Sequence, residues 1–529
     1  MKNNNRYFSG SVSRLHQALN VFCLFSTAFS IVILLSFLGL VSIYGTHLYI
    51  TEHTDGYVAA VSWIVQQGKP LYHSLEAPQR YSTLYGPSLF LVVGFFMRLF
   101  EPSLIIAKLP TIISLVFNLV LLFLVLKNKV NYPLSVLGTA YGSLAILAFG
   151  NTVLNVAFQI RSDSLILFCV TLSLWGVVTQ KRGLACLICA LGFGFAVNLK
   201  VTSVLYFLPV YAMLLSQSGL SATLISLLLG TLVIILPFLL PQISLTQYLL
   251  WIDRTANHGL SLQLLRENFQ TALILLLPLV LTLLQLRIVN LSSFQRFIAS
   301  NYIYLSVLLL GIFGTSIVAA KPGSGSHHVL PYIPIVVYFC ILIIVEIKIY
   351  FVKNQNQIFR LYSAKTIFLI FLALIFSGLL SINAVWKGVF LLSNIRSDSA
   401  SSIVADIEQV TQSYPERTIE MGYGNSSNYF LTDYRPIPVF AGHPYFLDST
   451  ALMDMQKAGL DLPNSTLDIF RSCRVEIWLI PKGDDPFSLL SYYDPNPPLF
   501  SDRFKAIFRQ NYEIRDRSQY YDLWFCKQK

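Results

Sequence analysis

Charged residues are scarce in this chain of 529 residues. They make up 12% of it, against about 25% in soluble globular proteins, while 55% of the residues are hydrophobic and the mean hydropathy is +0.62. This composition excludes an ordinary soluble protein. Uncharged runs that can cross a bilayer, about 20 residues each, recur between positions 15 and 386, after which charges become frequent. We therefore predict a polytopic α-helical membrane domain at 1–392 and a soluble α/β domain, the tail, at 393–529.

Several other features are missing. The net charge of +11 is spread over connections between hydrophobic runs and forms no basic patch, so we predict no nucleic-acid partner. The stretch "GYGNSSNYF" is no GxGxxG motif, and no internal repeat is visible. The first apolar run, 15–51, is too long for a signal-peptide core and no small-residue cleavage site follows it. It is therefore interpreted as a first membrane anchor.

Lys and Arg in short loops predict the topology, because they favour the cytoplasmic side. Residues 85–97 are too short for a comfortable span, and Pro87 suits the start of a helix on the membrane surface. With that segment outside, the basic clusters fall on one side, the N-terminus is cytoplasmic, and the tail and the loop 49–108 are extracytoplasmic. The eleven predicted spans are the first run and 109–126, 132–149, 163–180, 183–199, 201–217, 219–240, 269–286, 301–320, 329–347 and 366–386.

The tail reads as a small α/β domain. "TIEMGY" and "VEIWLIP" have the pattern of short buried strands, and "LDSTALMDMQKAGL" and "FSDRFKAIFRQ" that of amphipathic helices. Cys473 and Cys526 are expected to pair if the tail lies in an oxidising compartment.

The first acidic residues follow directly on the first span, in "TEHTDGYVAAVSWIVQQG". Apolar residues after Asp55 recur at helical spacing up to Gly68, which predicts a surface helix with Asp55 at its N-terminal end. A structural role is one interpretation, with Thr54 or Asp55 as the N-cap. Catalysis is the other, and this window alone favours the cap.

Further ionisable residues lie on the predicted outer face, where charges at the membrane edge are costly unless paired or functional. Each has a structural alternative: an interfacial pair with a cap by Ser162 or Asp163, a lysine that snorkels to the interface, or an ordinary flexible turn in "AKPGSGSHHVLPY". The candidate substrate-binding residues are Glu76, Arg80, Tyr85, Arg161, Asp163, Lys200, Lys321, His327 and His328.

The order of these motifs resembles a known superfamily. "HTDGYVAAVSWIVQQGKPLYHS", "EAPQRYSTLYGPSLFLVVGFFMRLF", "RSDSLILF" and "NLKVTSVLYFLP" are similar to the GT-C lipid-linked glycosyltransferases, in particular the bacterial branch of protein O-mannosyltransferases and aminoarabinose transferases. The resemblance covers roughly 15–215 and implies a bacterial inner-membrane enzyme with Asp55 as catalytic base and Asp163 as second acidic residue. Where the aminoarabinose branch reads Glu-Lys-Pro-Pro this chain reads "EAPQR", so Ala77 replaces the lysine and Arg80 is the nearby cation.

The chemistry of such an enzyme suits these residue types. Phosphate is already a competent leaving group, so what remains is to deprotonate an acceptor hydroxyl and align it on the sugar C1. A carboxylate at a partly desolvated membrane edge has a raised pKa, which suits a general base. Arg80, Arg161, Lys200 or Lys321 would then offset the charge of the departing lipid phosphate.

We therefore predict transfer of a sugar from a polyprenyl-phosphate donor to a lipid, glycan or protein acceptor, in contact with membrane lipids. The sequence identifies no certain cofactor, and a divalent metal between Asp55 and Asp163 stays open, because two carboxylates so far apart in sequence have no diagnostic spacing. The alternatives are a transporter or flippase for lipid-linked sugars, which would tend to show inverted repeats, and an O-antigen polymerase or ligase, which would tolerate loss of Asp55.

Overall fold

The protein consists of a multi-pass helical membrane part followed by a small α/β domain. A computed structural model describes residues 4–149, 156–255, 258–353, 364–397, 399–493 and 496–528; the predicted outer-loop residues 150–155 lie outside these ranges. The helices of the first part are α1 (Asn4–Thr46), α2 (His53–Gln66), α3 (Pro87–Phe100), α4 (Leu104–Lys127), α5 (Tyr132–Ala148), α6 (Ser162–Thr179), α7 (Arg182–Leu199), α8 (Val204–Ile235), α9 (Leu245–Thr255), α10 (Leu262–Val289), α11 (Leu291–Val318), α12 (Ile333–Lys353) and α13 (Ala364–Ser397).

Within the described residues, nine helical segments are long and apolar enough to cross a membrane. One of them, Val201–Leu239, is broken at Gly219, whose φ of 81° is left-handed. The Oη of Tyr211 lies 3.2 Å from the Oγ of Ser226, although 15 residues of straight helix would separate them by about 22 Å. α8 is therefore a helical hairpin. Counting its two legs separately and adding α5, which like α3 is a shorter apolar helix, gives eleven segments, the number of spans that the sequence predicts.

The split at Lys200 and the start of α3 also agree with the prediction. α7 ends at Leu199, Lys200 has extended backbone, and the chain then turns into α8. α3 begins at Pro87 and is a 14-residue apolar helix. It packs against α2 so closely that a Cβ at Gly94 would lie 2.7 Å from the Ser62 carbonyl oxygen.

The base of the loop 49–108 is closed by a buried lysine. The Nζ of Lys108, on α4, donates to the carbonyl oxygens of His47 and Tyr49, each at 2.7 Å, and to that of Tyr44 at 3.3 Å. These carbonyls lie at and just beyond the C-terminus of α1, where a cation is favourable. Lys108 therefore fixes the segment that leads into α2.

The tail contains a four-stranded sheet of order β1-β2-β4-β3. β1 and β2 pair in parallel, with Ile419 opposite Ile477, whereas β2 pairs antiparallel to β4 and β4 antiparallel to β3. Cys473 and Cys526 form the expected disulfide. The elements are α14 (Ala400–Ser413), β1 (Ile419–Met421), α15 (Pro436–Phe440), α16 (Ser449–Lys457), α17 (Asn464–Arg471), β2 (Ile477–Pro481), α18 (Asp502–Asn511), β3 (Tyr512–Arg517) and β4 (Tyr521–Cys526).

The tail packs directly on the loop 49–108. Arg80 forms a parallel bridge with Leu447: its N–H donates to the Phe446 carbonyl at 2.6 Å, and its carbonyl accepts from the N–H of Asp448 at 2.9 Å. On α2, a Cβ at Gly56 would overlap the carbonyl oxygen of Asp433. The tail backbone thus touches the helix that carries Asp55.

Candidate functional site

Asp55 is completely buried in the first turn of α2 and is held by three hydrogen bonds. Its Oδ2 accepts from the backbone N–H of Thr51 at 3.0 Å and from the Thr51 hydroxyl, and its Oδ1 accepts from the N–H of Ile160 at 2.6 Å. The N-cap of α2 is Glu52, whose side chain makes no capping bond, so the expectation of Thr54 or Asp55 as N-cap is wrong. Asp55 instead joins the start of α2 to the segment that precedes α6.

The burial of Asp55 sets its protonation. Burial raises the pKa of this carboxyl to about 6, while the hydrogen bonds from Thr51 and Ile160 and the charge of Lys108 oppose the rise. The carboxylate is therefore mostly ionised at neutral pH and still basic enough to take up a proton, which is the range that suits a general base.

Ile160 precedes Arg161, which is the centre of a charged cluster. The charged cluster consists of Glu52, Arg161, Asp163, Lys200, His327 and His328. Arg161 pairs with Glu52 through Nη1 at 3.3 Å and with Asp163 through Nε at 3.3 Å. Its Nη2 lies 3.4 Å from the Nε2 of His327. The predicted pair of Arg161 and Asp163 is present, but the N-cap of α6 is Arg161 rather than Ser162 or Asp163.

Lys200 completes the charged cluster from the turn between α7 and α8. Its Nζ lies 3.1 Å from the Nε2 of His328, which is also 2.8 Å from the Ser324 hydroxyl. Burial lowers the pKa of Lys200 to about 8, although the charge of Asp163 opposes the shift. The Lys200 ammonium thus points towards the charged cluster, and the loop "GSGSHH" contributes Ser324 and His328 beside it.

Several polar atoms in the charged cluster are buried without hydrogen bonds. Among the described residues, the Nδ1 of His327, the Nε of Arg161 and the Oδ2 of Asp163 have no hydrogen-bond partner, and the last two meet only as an ion pair. Such atoms cost about 1–3 kcal/mol each and are uncommon in native proteins. These atoms therefore keep hydrogen-bonding capacity that a polar ligand can use.

Two predicted residues lie elsewhere. Glu76 is exposed, and its carbonyl oxygen accepts from the Ser465 hydroxyl at 2.6 Å beside a cavity of about 600 Å³ between the loop and the tail. Arg80 is fully buried, with Nη1 3.9 Å from the Met455 sulfur. Burial lowers the pKa of Arg80 to about 10, opposed by the charge of Glu76. The structure therefore brings Glu76 and Arg80 to the tail and not to the charged cluster.

Tyr85 and Lys321 lie at the border of the charged cluster. Burial raises the pKa of the Tyr85 phenol to about 12, and the charges of Arg161, Asp163 and Glu52 also act on it, which places the ring beside the cluster. Lys321 is half-buried at the far end of the loop that carries the two histidines, where its charge acts on His258.

The tail supplies functional candidates that the sequence does not reveal. Asp454, on α16, is buried; its Oδ1 accepts from the Tyr493 hydroxyl at 2.9 Å and lies 3.8 Å from the Nε2 of His258. Burial raises its pKa to about 7. Glu52 is not among the predicted site residues either, and its position three residues before Asp55 is the one sequence feature that could have pointed to it. No group of three or more His, Cys, Asp and Glu side chains in the described ranges is arranged to hold a metal ion.

The architecture defines a class of protein: a multi-pass membrane protein in which the loop 49–108 and the C-terminal α/β domain pack together beside a largely buried charged cluster. No family model and no curated protein sequence matches the chain. Among solved structures, it is similar to ArnT from Cupriavidus metallidurans in the apo state, with 12% identity over 96% of this chain and 98% of that chain and a TM-score of 0.52.

The structure of the same ArnT bound to undecaprenyl phosphate is also similar, with 12% identity, coverage of 94% of this chain and 97% of that chain, and a TM-score of 0.51. At this identity the likeness concerns the fold. It confirms the predicted multi-pass helical membrane fold with a C-terminal α/β domain.

Proposed function

We propose that the protein is a lipid-linked glycosyltransferase that moves a sugar from a polyprenyl phosphate to an acceptor hydroxyl. The observation that carries the proposal is the junction at 160–163, where the buried carboxylate of Asp55 accepts a hydrogen bond from Ile160, the residue directly before the cation Arg161. A similar fold binds undecaprenyl phosphate in ArnT, which supports the same class of donor here.

In this proposal Arg161 and Lys200 hold the donor phosphate. Arg161 is buried and Lys200 is half-buried, and hydrogen bonds from cations to phosphate are among the stronger ones in proteins. Their present partners are Glu52, Asp163 and His328. The acceptor oxygen attacks the sugar C1 from the side opposite the phosphate, its proton passes to a carboxylate, and the C1–O bond to phosphate breaks. A single displacement of this kind inverts the anomeric carbon, and the cations stabilise the departing polyprenyl phosphate.

Asp55 is the proposed general base, because its raised pKa and its fixed orientation meet both requirements of the role. Its carboxylate has no exposed surface, so an acceptor can reach it only when a group that now covers it, such as the Thr51 hydroxyl, moves aside. Glu52 is a second candidate, favoured by the 28% exposure of its side chain and its contact with Arg161. Substitution distinguishes the two.

The test incubates the purified protein with radiolabelled polyprenyl-phosphate sugars and a membrane extract as the source of acceptors. Native protein is compared with Asp55→Asn and Glu52→Gln, and folding is checked by thermal unfolding. We expect label to move covalently to an acceptor and Asp55→Asn to lose it. Full activity in Asp55→Asn with loss in Glu52→Gln would transfer the base to Glu52. Movement of labelled lipid across a vesicle membrane without covalent transfer would support the transporter and overturn the enzyme.

We further propose the bacterial inner membrane as location, with a cytoplasmic N-terminus and an extracytoplasmic tail. The disulfide between Cys473 and Cys526 supports this side, since structural disulfides persist in oxidising compartments. A reporter that is active only in the periplasm, fused after Lys529, should be active. An inactive periplasmic reporter together with an active cytoplasmic one would contradict the topology.

A further inference from the structure

Aromatic side chains of the tail border the charged cluster on its open side. The ring of Tyr492 is 50% exposed, and its centroid lies 5.7 Å from that of His53 on α2 and 4.6 Å from that of Tyr493. The Nδ1 of His53 lies 3.8 Å from the Oε1 of Glu52, so the Tyr492 ring lies beside the residue that contacts Glu52. An exposed aromatic ring therefore lies beside the first turn of α2, the turn that carries Asp55.

Hydrogen-bonding groups surround this ring. On one side is Glu52, which is paired with Arg161. On the other is Asp454, which accepts from the Tyr493 hydroxyl at 2.9 Å. This rim thus combines the carboxylate of Glu52 with the Tyr492 phenol and the hydrogen-bonded pair of Tyr493 and Asp454.

This combination matches the chemistry of a sugar ring. A pyranose has an apolar face of C–H bonds that packs on an aromatic ring, and hydroxyls at its edge that donate to carboxylates. The rim carries little net negative charge, because Arg161 neutralises Glu52 and burial raises the pKa of Asp454 to about 7. A neutral saccharide therefore fits this surface better than an organic cation.

We propose that Tyr492, Tyr493 and Asp454 of the tail form, together with Glu52, a saccharide-binding subsite that holds the acceptor. Its role as an acceptor site rests on the proposed function, whereas saccharide binding by itself does not. The subsite places a sugar hydroxyl at the start of α2, on the side from which Asp55 or Glu52 would take the proton. It also gives the tail a direct part in substrate choice.

The experiment measures binding of methyl glycosides of mannose, glucose and galactose to the full-length protein in detergent by saturation-transfer NMR. The variants are Tyr492→Ala and Tyr492→Phe. Tyr302→Ala is the control, because Tyr302 is 57% exposed and lies on α11. Binding of undecaprenyl phosphate is measured on the same samples, with tetramethylammonium as a cation probe.

We expect at least one glycoside to bind the native protein, and Tyr492→Ala to weaken it about tenfold or more. Tyr492→Phe and Tyr302→Ala should bind it like the native protein, and undecaprenyl phosphate binding should be unchanged throughout. Three results would overturn the subsite: no glycoside binds, whether or not tetramethylammonium does; Tyr492→Ala binds the glycoside like the native protein; or Tyr492→Ala loses undecaprenyl phosphate instead. Failure of native protein to bind undecaprenyl phosphate would count against the proposed function, and the glycoside result would still decide the saccharide site.

Discussion

Removing the Thr51 hydroxyl should shift the pH dependence of the reaction. Thr51→Val keeps the shape of the side chain and deletes one of the three hydrogen bonds to Asp55. A hydrogen bond to a charged group contributes about 1.5–3 kcal/mol, and one pKa unit corresponds to about 1.4 kcal/mol. Because the lost bond favours the ionised form, the pKa of Asp55 should rise from about 6 by about 1–2 units.

The consequence for activity follows from the role of a base, which works only when ionised. Activity rises as pH increases through the pKa, so the native acid limb should have its midpoint near pH 6. With a pKa near 7.5, about a quarter of Asp55 is ionised at pH 7, compared with about nine tenths in the native protein. Thr51→Val should therefore lose about fourfold in kcat/KM at pH 7 and regain it near pH 9.

The assay is sugar transfer from a radiolabelled polyprenyl-phosphate sugar between pH 5 and 9, analysed as kcat/KM because that ratio reports the free enzyme. Thr51→Ser retains the hydroxyl and should keep the native midpoint. A midpoint in Thr51→Val that equals the native one, or lies below it, would show that Asp55 is not the group that titrates.

Three further predictions concern binding and stability. Lys200→Met should weaken undecaprenyl phosphate binding about tenfold or more, whereas Lys200→Arg should keep most of it, as measured by titration at constant pH. Gly56→Ala should lower the stability of the protein by about 1–3 kcal/mol and expose the tail to protease, because the new Cβ overlaps a tail carbonyl; Gly183→Ala, whose Cβ meets nothing within 4 Å, should unfold like the native protein. Cys526→Ser removes a cross-link over 53 residues, worth up to about 4 kcal/mol, and should give the tail the same protease sensitivity as reduction of the native protein.

Much of the fold is predictable because the membrane imposes simple rules on the sequence. Uncharged runs have the length of a span, Pro87 starts a helix where its missing N–H costs nothing, and Lys200 interrupts two apolar runs where the chain turns. β3 cannot be predicted from a hydrophobic pattern. Only Tyr512 of its six residues is buried, so its sequence shows no apolar alternation. Its place at the sheet edge depends on pairing with β4, which short-range patterns do not encode.

The residues of the candidate site also fall into a predictable group and an unpredictable one. Arg161, Asp163, Lys200 and the two histidines lie at span ends on one predicted face, and ends on one face of a bundle converge. Arg80 is near Tyr85 in sequence, but its backbone pairs with Leu447, so the loop carries it to the tail. The tail residues beside the charged cluster have no signal at all, because their position results from docking of one folded unit on another.

Asp55 shows how one residue serves both interpretations of the opening motif. A carboxylate that accepts two or three backbone hydrogen bonds in an exposed place has a pKa far below 4, and it would be too weak a base. Burial without such bonds raises the pKa of a carboxyl by up to about 3–5 units, and it would be protonated at neutral pH. At Asp55 both effects act, and burial prevails only in part, leaving the pKa at about 6. The hydrogen bonds that fix the start of α2 therefore also keep this carboxylate ionised, and the burial that opposes them keeps it basic.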